Sequence, residues 1–192
     1  MAILDDSVEL MTDHELIQRI QKRDRQAFDD FYDRYAQIIF SLCVRILKDT
    51  GEAEDVLQEI FVQIWREAER FDAARASVKT WVFTIARSRS LDRYRSRKTA
   101  RQRFEDSPAE DLQQVSSKED LQSTSVVQQY VATAMQQLSK EQRAVLELCY
   151  YRGLTQEEIS NLTGEPLGTI KSRIRAALMK LRSAFAGDRS NV

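Results

Sequence analysis

Residues 155–180 read TQEEISNLTGEPLGTIKSRIRAALMK. Thr155 and Glu158, three residues apart, form a capping box that starts a helix. Gly164 stands where a helix-ending glycine belongs, and a second helix begins a few residues later, near Gly168. Two short helices joined by a tight turn predict a helix-turn-helix, whose second helix enters the major groove of DNA. The predicted buried seam between the two helices consists of Ile159, Leu162, Leu167, Ile170 and Ile174.

The second helix of this motif is strongly basic, with five bases and no acid over residues 168–186. Such a helix binds phosphates, although an ordinary helical hairpin with a solvated basic face would carry the same charges. Lys171 and Arg175 lie four residues apart on one stripe, which is the predicted base-reading surface. Arg173 points about 200° away from Arg175 on a helix of 3.6 residues per turn, so it is predicted to bind a phosphate.

The composition indicates an all-α protein without a cofactor. The 192 residues include only 5 Gly and 2 Pro, against roughly 13 and 10 at average usage. No glycine-rich nucleotide-binding string is present. His14, Cys43 and Cys149 are too few for a tetrahedral zinc site, and both cysteines are predicted to be buried rather than bridged. No metal ion is expected.

Membrane insertion and secretion are not expected either. Residues 1–15 carry five acids and no base, which is unlike a signal peptide. The longest apolar run, residues 38–44, is broken by Ser41 and is far shorter than the ~20 residues of a membrane span. The protein is predicted to be cytoplasmic.

Charge and periodicity divide the chain into two helical domains. Residues 87–103 hold eight bases against one acid, a net charge of +7, and residues 104–120 hold six acids against one base, a net charge of −5. Periodicity is lost over 104–122, which predicts a flexible acidic linker. Domains are therefore predicted at 10–100 and 124–187, the second with the helix-turn-helix. The predicted helices are 12–23, 25–48 (ended by Thr50-Gly51), 52–70, one from 78 after a loop at 71–77, and 126–138, 140–152, 156–163 and 168–185.

Two further segments of the first domain carry candidate binding residues. Bases and aromatics alternate from Lys79 into the basic run, which suits single-stranded or distorted DNA. Core packing of Trp81 and an ordinary solvated helix remain open alternatives. Residues 54–65, EDVLQEIFVQIW, place acids on one side of an apolar helix. That side is either the solvated edge of a core helix or a docking face for a basic partner.

Three strings in this order resemble the extracytoplasmic-function (ECF) group of the sigma-70 family, the bacterial transcription initiation factors. The resemblance covers about residues 12–185, and departs from the family at Ser88, often Asn, and at Ala176, often Arg. The strings are AEDVLQEIFVQIW (53–65), FDAARASVKTWVFTIARSRSLDRYR (71–95) and LTQEEISNLTGEPLGTIKSRIRAALMKLR (154–182).

The resemblance implies a factor, not an enzyme, that binds core RNA polymerase and directs it to promoter DNA. Residues 71–79 are similar to the loop that captures a flipped base of the −10 element, and the helix after it would follow the melted strand. The implied contacts with the clamp helices of the polymerase β′ subunit are Asp55, Gln58, Glu59, Phe61 and Trp65. The implied −10 contacts are Phe71, Lys79, Trp81, Arg87, Ser88 and Arg93.

The second domain would sit on the flap of the polymerase β subunit, and the acidic linker would thread through the polymerase. An anti-sigma factor is a further implied partner, and the factor would join the nucleoid when bound to polymerase. A free-standing helix-turn-helix regulator is the main alternative, and a helical adaptor that binds only protein is another. The implied −35 contacts are Thr169, Lys171, Ser172, Arg173 and Arg175.

Overall fold

The computed structural model describes residues 11–104 and 135–187, with side chains over 11–100 and 135–183. Every regular element in these ranges is a helix, so the all-α prediction is confirmed. The chain divides into two compact units with the boundary between Arg95 and Ser96. The predicted linker, apart from Phe104, lies outside the described residues.

Four α-helices build the first unit, and a local capping signal starts the first of them. Thr12 Oγ1 accepts a hydrogen bond from the Glu15 N–H at 3.2 Å, and the Glu15 carboxylate accepts one from the Thr12 N–H at 2.7 Å. This confirms the first predicted capping box. The helices are α1 (Asp13–Gln21), α2 (Arg25–Leu47), α3 (Thr50–Glu67, extended by a 3-10 turn, Ala68–Arg70) and α4 (Val78–Phe104).

The junction between α2 and α3 differs from the prediction. Lys48 adopts a left-handed conformation with φ of 57° and ends α2. Asp49 then caps α3 by accepting a hydrogen bond from the Glu52 N–H at 3.0 Å. Thr50 and Gly51 therefore belong to the first turn of α3, and the prediction that they separate the helices is wrong. An aspartate cap stabilises a helix start by about 1 kcal/mol, which offsets the similar cost of one glycine in the first turn.

The apolar faces of α1 to α4 meet in one core. Ser90 of α4 is completely buried there, and its hydroxyl donates to the Ala86 carbonyl at 2.8 Å, so its burial leaves no polar atom unpaired. The same hydroxyl lies 3.4 Å from the Cys43 sulfur, which places α4 against α2. The larger core side chains include Leu16 and Ile20 of α1, Phe31 and Ile39 of α2, Ile60 and Ile64 of α3, and Val82 of α4.

The second unit contains α5 (Lys140–Tyr150), α6 (Gln156–Thr163) and α7 (Leu167–Gly187). Capping boxes start α5 and α6 as predicted. Gly164 ends α6 at a φ of 70°, a left-handed conformation that glycine adopts without a Cβ penalty. The core of this unit consists of Leu138, Val145, Leu146, Ile159, Ile170, Ile174 and Ala177.

One part of the predicted seam is wrong. Leu162 is 44% exposed, whereas Ile159, one turn earlier on α6, is fully buried. Ile159 is the buried residue of α6, and Leu162, three residues later, is turned about 60° away from it on a helix of 3.6 residues per turn. Leu167 is half-buried.

Candidate functional site

The outer side of α3 presents a mixed acidic and apolar surface. Asp55, Gln58 and Glu59 are exposed, as predicted for a solvated face. Val62, one turn beyond Gln58, is 48% exposed and extends this surface with an apolar side chain. Val62 was not among the predicted contacts, although its place outside the apolar stripe of α3 indicates exposure. These four residues are called the α3 face below.

Two aromatic residues expected on this surface are less exposed than its polar residues. Phe61 is only 3% exposed, and its ring packs 4.5 Å from that of Tyr32 and 6.1 Å from that of Phe28. The expectation that Phe61 belongs to the contact surface is corrected: it supports the surface from the core. Trp65 is half-buried, and the Arg23 guanidinium lies 5.5 Å from its ring.

An ionic seam joins α3 to α4. The Arg93 guanidinium donates to the Glu52 carboxylate at 2.9 Å and to the Glu59 carboxylate at 2.5 Å. One turn earlier on α4, Arg89 donates to the Gln63 side-chain oxygen at 2.6 Å. The hydrogen bond to Glu52 raises the pKa of the Arg93 guanidinium. Arg93, an expected −10 contact, forms ion pairs with two carboxylates of the neighbouring helix.

The loop before α4 is anchored from within. Phe71 is 8% exposed, and its ring lies 5.3 Å from that of the half-buried Trp81. Phe71, an expected −10 contact, is thus buried against the Trp81 ring. The Asp72 carboxylate turns the loop by accepting from the Ala74 N–H at 2.9 Å, and Ser77 caps α4 through the Thr80 N–H at 3.2 Å.

The remaining predicted residues of this region lie on the outer part of α4. Lys79 and Ser88 are exposed, and Arg87 is half-buried. The structure thus places the exposed Lys79 in the first turn of α4. The loop before it is anchored by the Phe71 ring, which packs against Trp81 of α4. Lys79, Trp81, Arg87 and Ser88 lie on one helix that is held to α3 by Arg93.

The second unit presents its basic residues on two different sides of α7. Lys171, Ser172 and Arg175 are exposed, and neither Lys171 nor Arg175 forms an ion pair with any residue that the structure describes. Thr169 is half-buried, and its carbonyl accepts a hydrogen bond from the Ser172 hydroxyl at 2.9 Å. Arg173 is half-buried and forms an ion pair with Glu165 in the turn before α7.

Among the described residues, no group of three or more His, Cys, Asp or Glu side chains is arranged to hold a metal ion. Burial raises the pKa of the Cys43 thiol, which keeps it protonated and unreactive. Cys149 is half-buried and forms no disulfide. None of the helices that the structure describes has the length and apolar character needed to cross a membrane.

Comparison with known proteins gives matches to both units. The family model for Sigma-70 region 2 matches residues 31–100, and the model for Sigma-70 region 4 matches residues 134–183. The ECF RNA polymerase sigma factor SigK of Mycobacterium tuberculosis strain H37Rv is 37% identical over 171 residues, covering 88% of this chain and 91% of that protein. The chain belongs to the ECF sigma factors.

A second relative and a solved structure are also similar to this chain. SigK of Mycobacterium ulcerans is 35% identical to this sigma factor over 174 residues, with 88% of this chain and 91% of the relative covered. A crystal structure of Rhodobacter sphaeroides SigE in complex with the anti-sigma ChrR is 32% identical, covers 91% of this chain and 98% of that one, and has a TM-score of 0.49.

Membership in this family decides between the alternatives that the sequence left open. Region 2 lies in the first unit and region 4 in the second, and a free-standing helix-turn-helix regulator has no need of region 2. The protein is an RNA polymerase sigma factor that acts in transcription initiation at promoter DNA. Sigma factors regulate transcription and are not enzymes.

Proposed function

We propose that this ECF sigma factor uses three separate surfaces, one for core polymerase and two for promoter elements. The observation that carries this proposal is the exposed basic stripe of Lys171 and Arg175 on the second helix of a helix-turn-helix. Side chains at the start of such a helix reach base edges in the major groove. The domains that hold these surfaces are residues 10–100 and 124–187.

The α3 face is the proposed polymerase-binding surface. It combines the exposed Asp55 carboxylate with the exposed apolar side chain of Val62. The exposed Glu59 carboxylate, which pairs with Arg93, lies at its border. Acidic groups around an apolar centre suit a partner helix that is basic at its rim. The family resemblance identifies that partner as the clamp helices of the β′ subunit. Phe61 supports this surface from the core, and the half-buried Trp65 is a further proposed contact.

The first turns of α4 and the loop before it form the proposed −10 surface. Lys79 and Ser88 are exposed, and the half-buried Trp81 is held by the Phe71 ring at 5.3 Å. An aromatic ring of fixed orientation suits an unpaired base, and Lys79, about 200° around the same helix from Trp81, suits a phosphate elsewhere along the strand. Arg87 completes this surface. Arg93 serves it by holding α4 to α3.

On α7, the proposed −35 surface consists of Thr169, Lys171, Ser172 and Arg175. A bidentate arginine contact with a guanine is worth about 1–3 kcal/mol of base discrimination. Arg175 is the proposed base-reading arginine because it is exposed and has no ion-pair partner among the described residues. Arg173 differs from these residues because it forms an ion pair with Glu165.

The remaining parts of the proposal rest on the sequence and the family resemblance. The acidic linker at 104–122 passes through a basic channel of the polymerase, and region 4 sits on the β flap. An anti-sigma factor binds this sigma factor when it is idle. The protein works in the cytoplasm, on the nucleoid when bound to polymerase, without a cofactor or metal and without catalytic activity of its own.

A selection from random DNA tests the −35 surface. The full chain, bound to core polymerase, is incubated with a library of duplexes, and the retained molecules are sequenced. We expect one short duplex motif to be enriched, and the enrichment to be lost when Lys171 and Arg175 are both replaced by Ala. Enrichment that survives this double replacement would contradict the assignment of the surface to α7.

A further inference from the structure

The turn of the helix-turn-helix holds a carboxylate against the recognition helix α7. The Arg173 guanidinium donates to the Glu165 carboxylate, and the side chains are 28% and 35% exposed. The backbone of Glu165 is also held, since its carbonyl accepts from the Ser160 hydroxyl at 2.6 Å and its N–H donates to the Thr163 hydroxyl at 3.4 Å. The carboxylate is therefore a built part of the turn.

A second carboxylate lies near the same arginine. The pKa of Glu141, in the first turn of α5, is lowered chiefly by a hydrogen bond with Ser139 and further by the positive charge of Arg173. Arg173 thus lies in an acidic environment formed by α5 and the turn. Lys171 and Arg175, on another side of α7, form no ion pair with the described residues.

We propose that Glu165 sets the sequence-independent part of the affinity for −35 DNA by neutralising Arg173. The N-terminal part of a recognition helix is the part closest to DNA. A free arginine there would bind a phosphate of any sequence, and a free carboxylate would repel it. The ion pair neither binds nor repels a phosphate, so the affinity for DNA depends on the residues that face the bases. This inference rests on the proposed function of α7 as the −35 reader.

The ion pair changes the balance between non-specific binding to phosphates and specific binding to bases. Phosphate contacts supply nearly all of the non-specific affinity, and each neutralised phosphate adds about 0.9 to the slope of log affinity against log salt. When Glu165 removes Arg173 from the residues that contact phosphates, the affinity for unrelated DNA falls. Unrelated DNA competes with the promoter for the protein in the cell. Glu165 is therefore an affinity-limiting residue.

The test compares Glu165→Gln with Glu157→Gln in the full chain. Glu157 is an exposed carboxylate on α6, so its replacement makes the same change in net charge without touching Arg173. Binding of the −35 duplex and of an unrelated duplex is measured by fluorescence anisotropy at 50 and 200 mM salt. We expect Glu165→Gln to bind both duplexes more tightly, with a gain about threefold larger at the lower salt concentration. Glu157→Gln leaves the salt slope unchanged.

Several outcomes would overturn the inference. The first is a salt slope of Glu165→Gln equal to that of the control variant. The second is weaker binding of both duplexes by Glu165→Gln, with a circular dichroism spectrum like that of the wild type. The charge-neutral double variant Glu165→Gln, Arg173→Ala guards against misfolding of the single one. We expect it to have the wild-type slope, whereas a slope shallower by about 0.9 would show that Arg173 already binds a phosphate.

The proposed function and this inference fail in different ways. A wild-type protein that binds both duplexes equally contradicts the −35 assignment, while the salt slopes, which need only a duplex, still decide the role of Glu165. A wild-type protein that binds neither duplex contradicts both.

Discussion

At the level of single side chains, the arginines of this sigma factor divide into those that face outward and those that serve the fold. Arg175 is exposed, whereas Arg173 is paired with Glu165, and Arg93 bridges Glu52 and Glu59. All three belong to basic runs that look uniform in the sequence. Their different partners mean that their replacement has different results.

Arg175→Ala should relax the −35 preference at one or two base pairs. The loss of a bidentate contact removes about 1–3 kcal/mol of discrimination at those positions and leaves the rest of the motif intact. Duplex selection with the variant measures this. The control is Arg182→Ala, since Arg182 is also exposed on α7. This variant should bind all DNA sequences more weakly, by the same factor. An unchanged motif in Arg175→Ala would refute its base-reading role.

Arg93→Ala should lower the free energy of unfolding of the first unit by about 1 kcal/mol, since two partly exposed ion pairs are lost. The effect should shrink at high salt. Both tryptophans, Trp65 and Trp81, lie in this unit, so tryptophan fluorescence during urea unfolding reports on it alone. The control is Lys98→Ala, on the exposed side of α4. Unchanged stability together with weaker binding of single-stranded −10 DNA would make Arg93 a DNA contact instead.

At the level of helices, α3 contributes one side to the core and the other to the protein surface. Its apolar side, including Ile60 and Ile64, packs into the core, and its outer side carries the α3 face. Glu59 lies at the border between this face and the seam with α4. A charge change in the middle of the face should therefore affect binding and leave the core as it is.

Asp55→Arg should weaken binding to core polymerase at least tenfold without unfolding the protein. Exposed substitutions typically change stability by less than ~0.5 kcal/mol, whereas a like charge placed against a basic partner is repelled. Titration of labelled protein with core polymerase measures this. Asp33→Arg, an exposed aspartate of α2, is the matched control and should bind as wild type. Equal affinity of the two variants would remove Asp55 from the interface.

Helix starts were predictable because their signals are local. The capping boxes at Thr12, Ser139 and Thr155 each involve residues three apart, and all three are present in the structure. The errors concern contacts between distant segments. Burial of Phe61 depends on α2, and burial of Phe71 depends on the Trp81 ring.

Charge pairing was equally hidden from the sequence. The partners of Arg93 are 34 and 41 residues away in the chain. Periodicity identifies which side of a helix is apolar, but it does not say which neighbouring helix will neutralise an arginine. The net charge of a basic run therefore overstates the charge available for DNA.

At the level of the whole molecule, the two units are joined by a segment whose composition is acidic. If that segment passes through a basic channel of the polymerase, its charge matters more than its side-chain identities. Replacing Glu105, Asp106, Glu110 and Asp111 by their amides should then reduce the yield of full-length transcripts more than promoter binding. The ratio of abortive to full-length RNA measures this, and a parallel loss of promoter binding would contradict the proposed path.

The most direct test of the central claim is run-off transcription with core RNA polymerase on a library of random promoters. With the purified protein added, we predict transcripts from templates that share two motifs, one near −10 and one near −35. Arg175→Ala should alter only the −35 motif, because the −10 surface lies in the other unit. Transcription that does not depend on the added protein, or that shows no shared motif, would contradict its role as a sigma factor that reads two promoter elements.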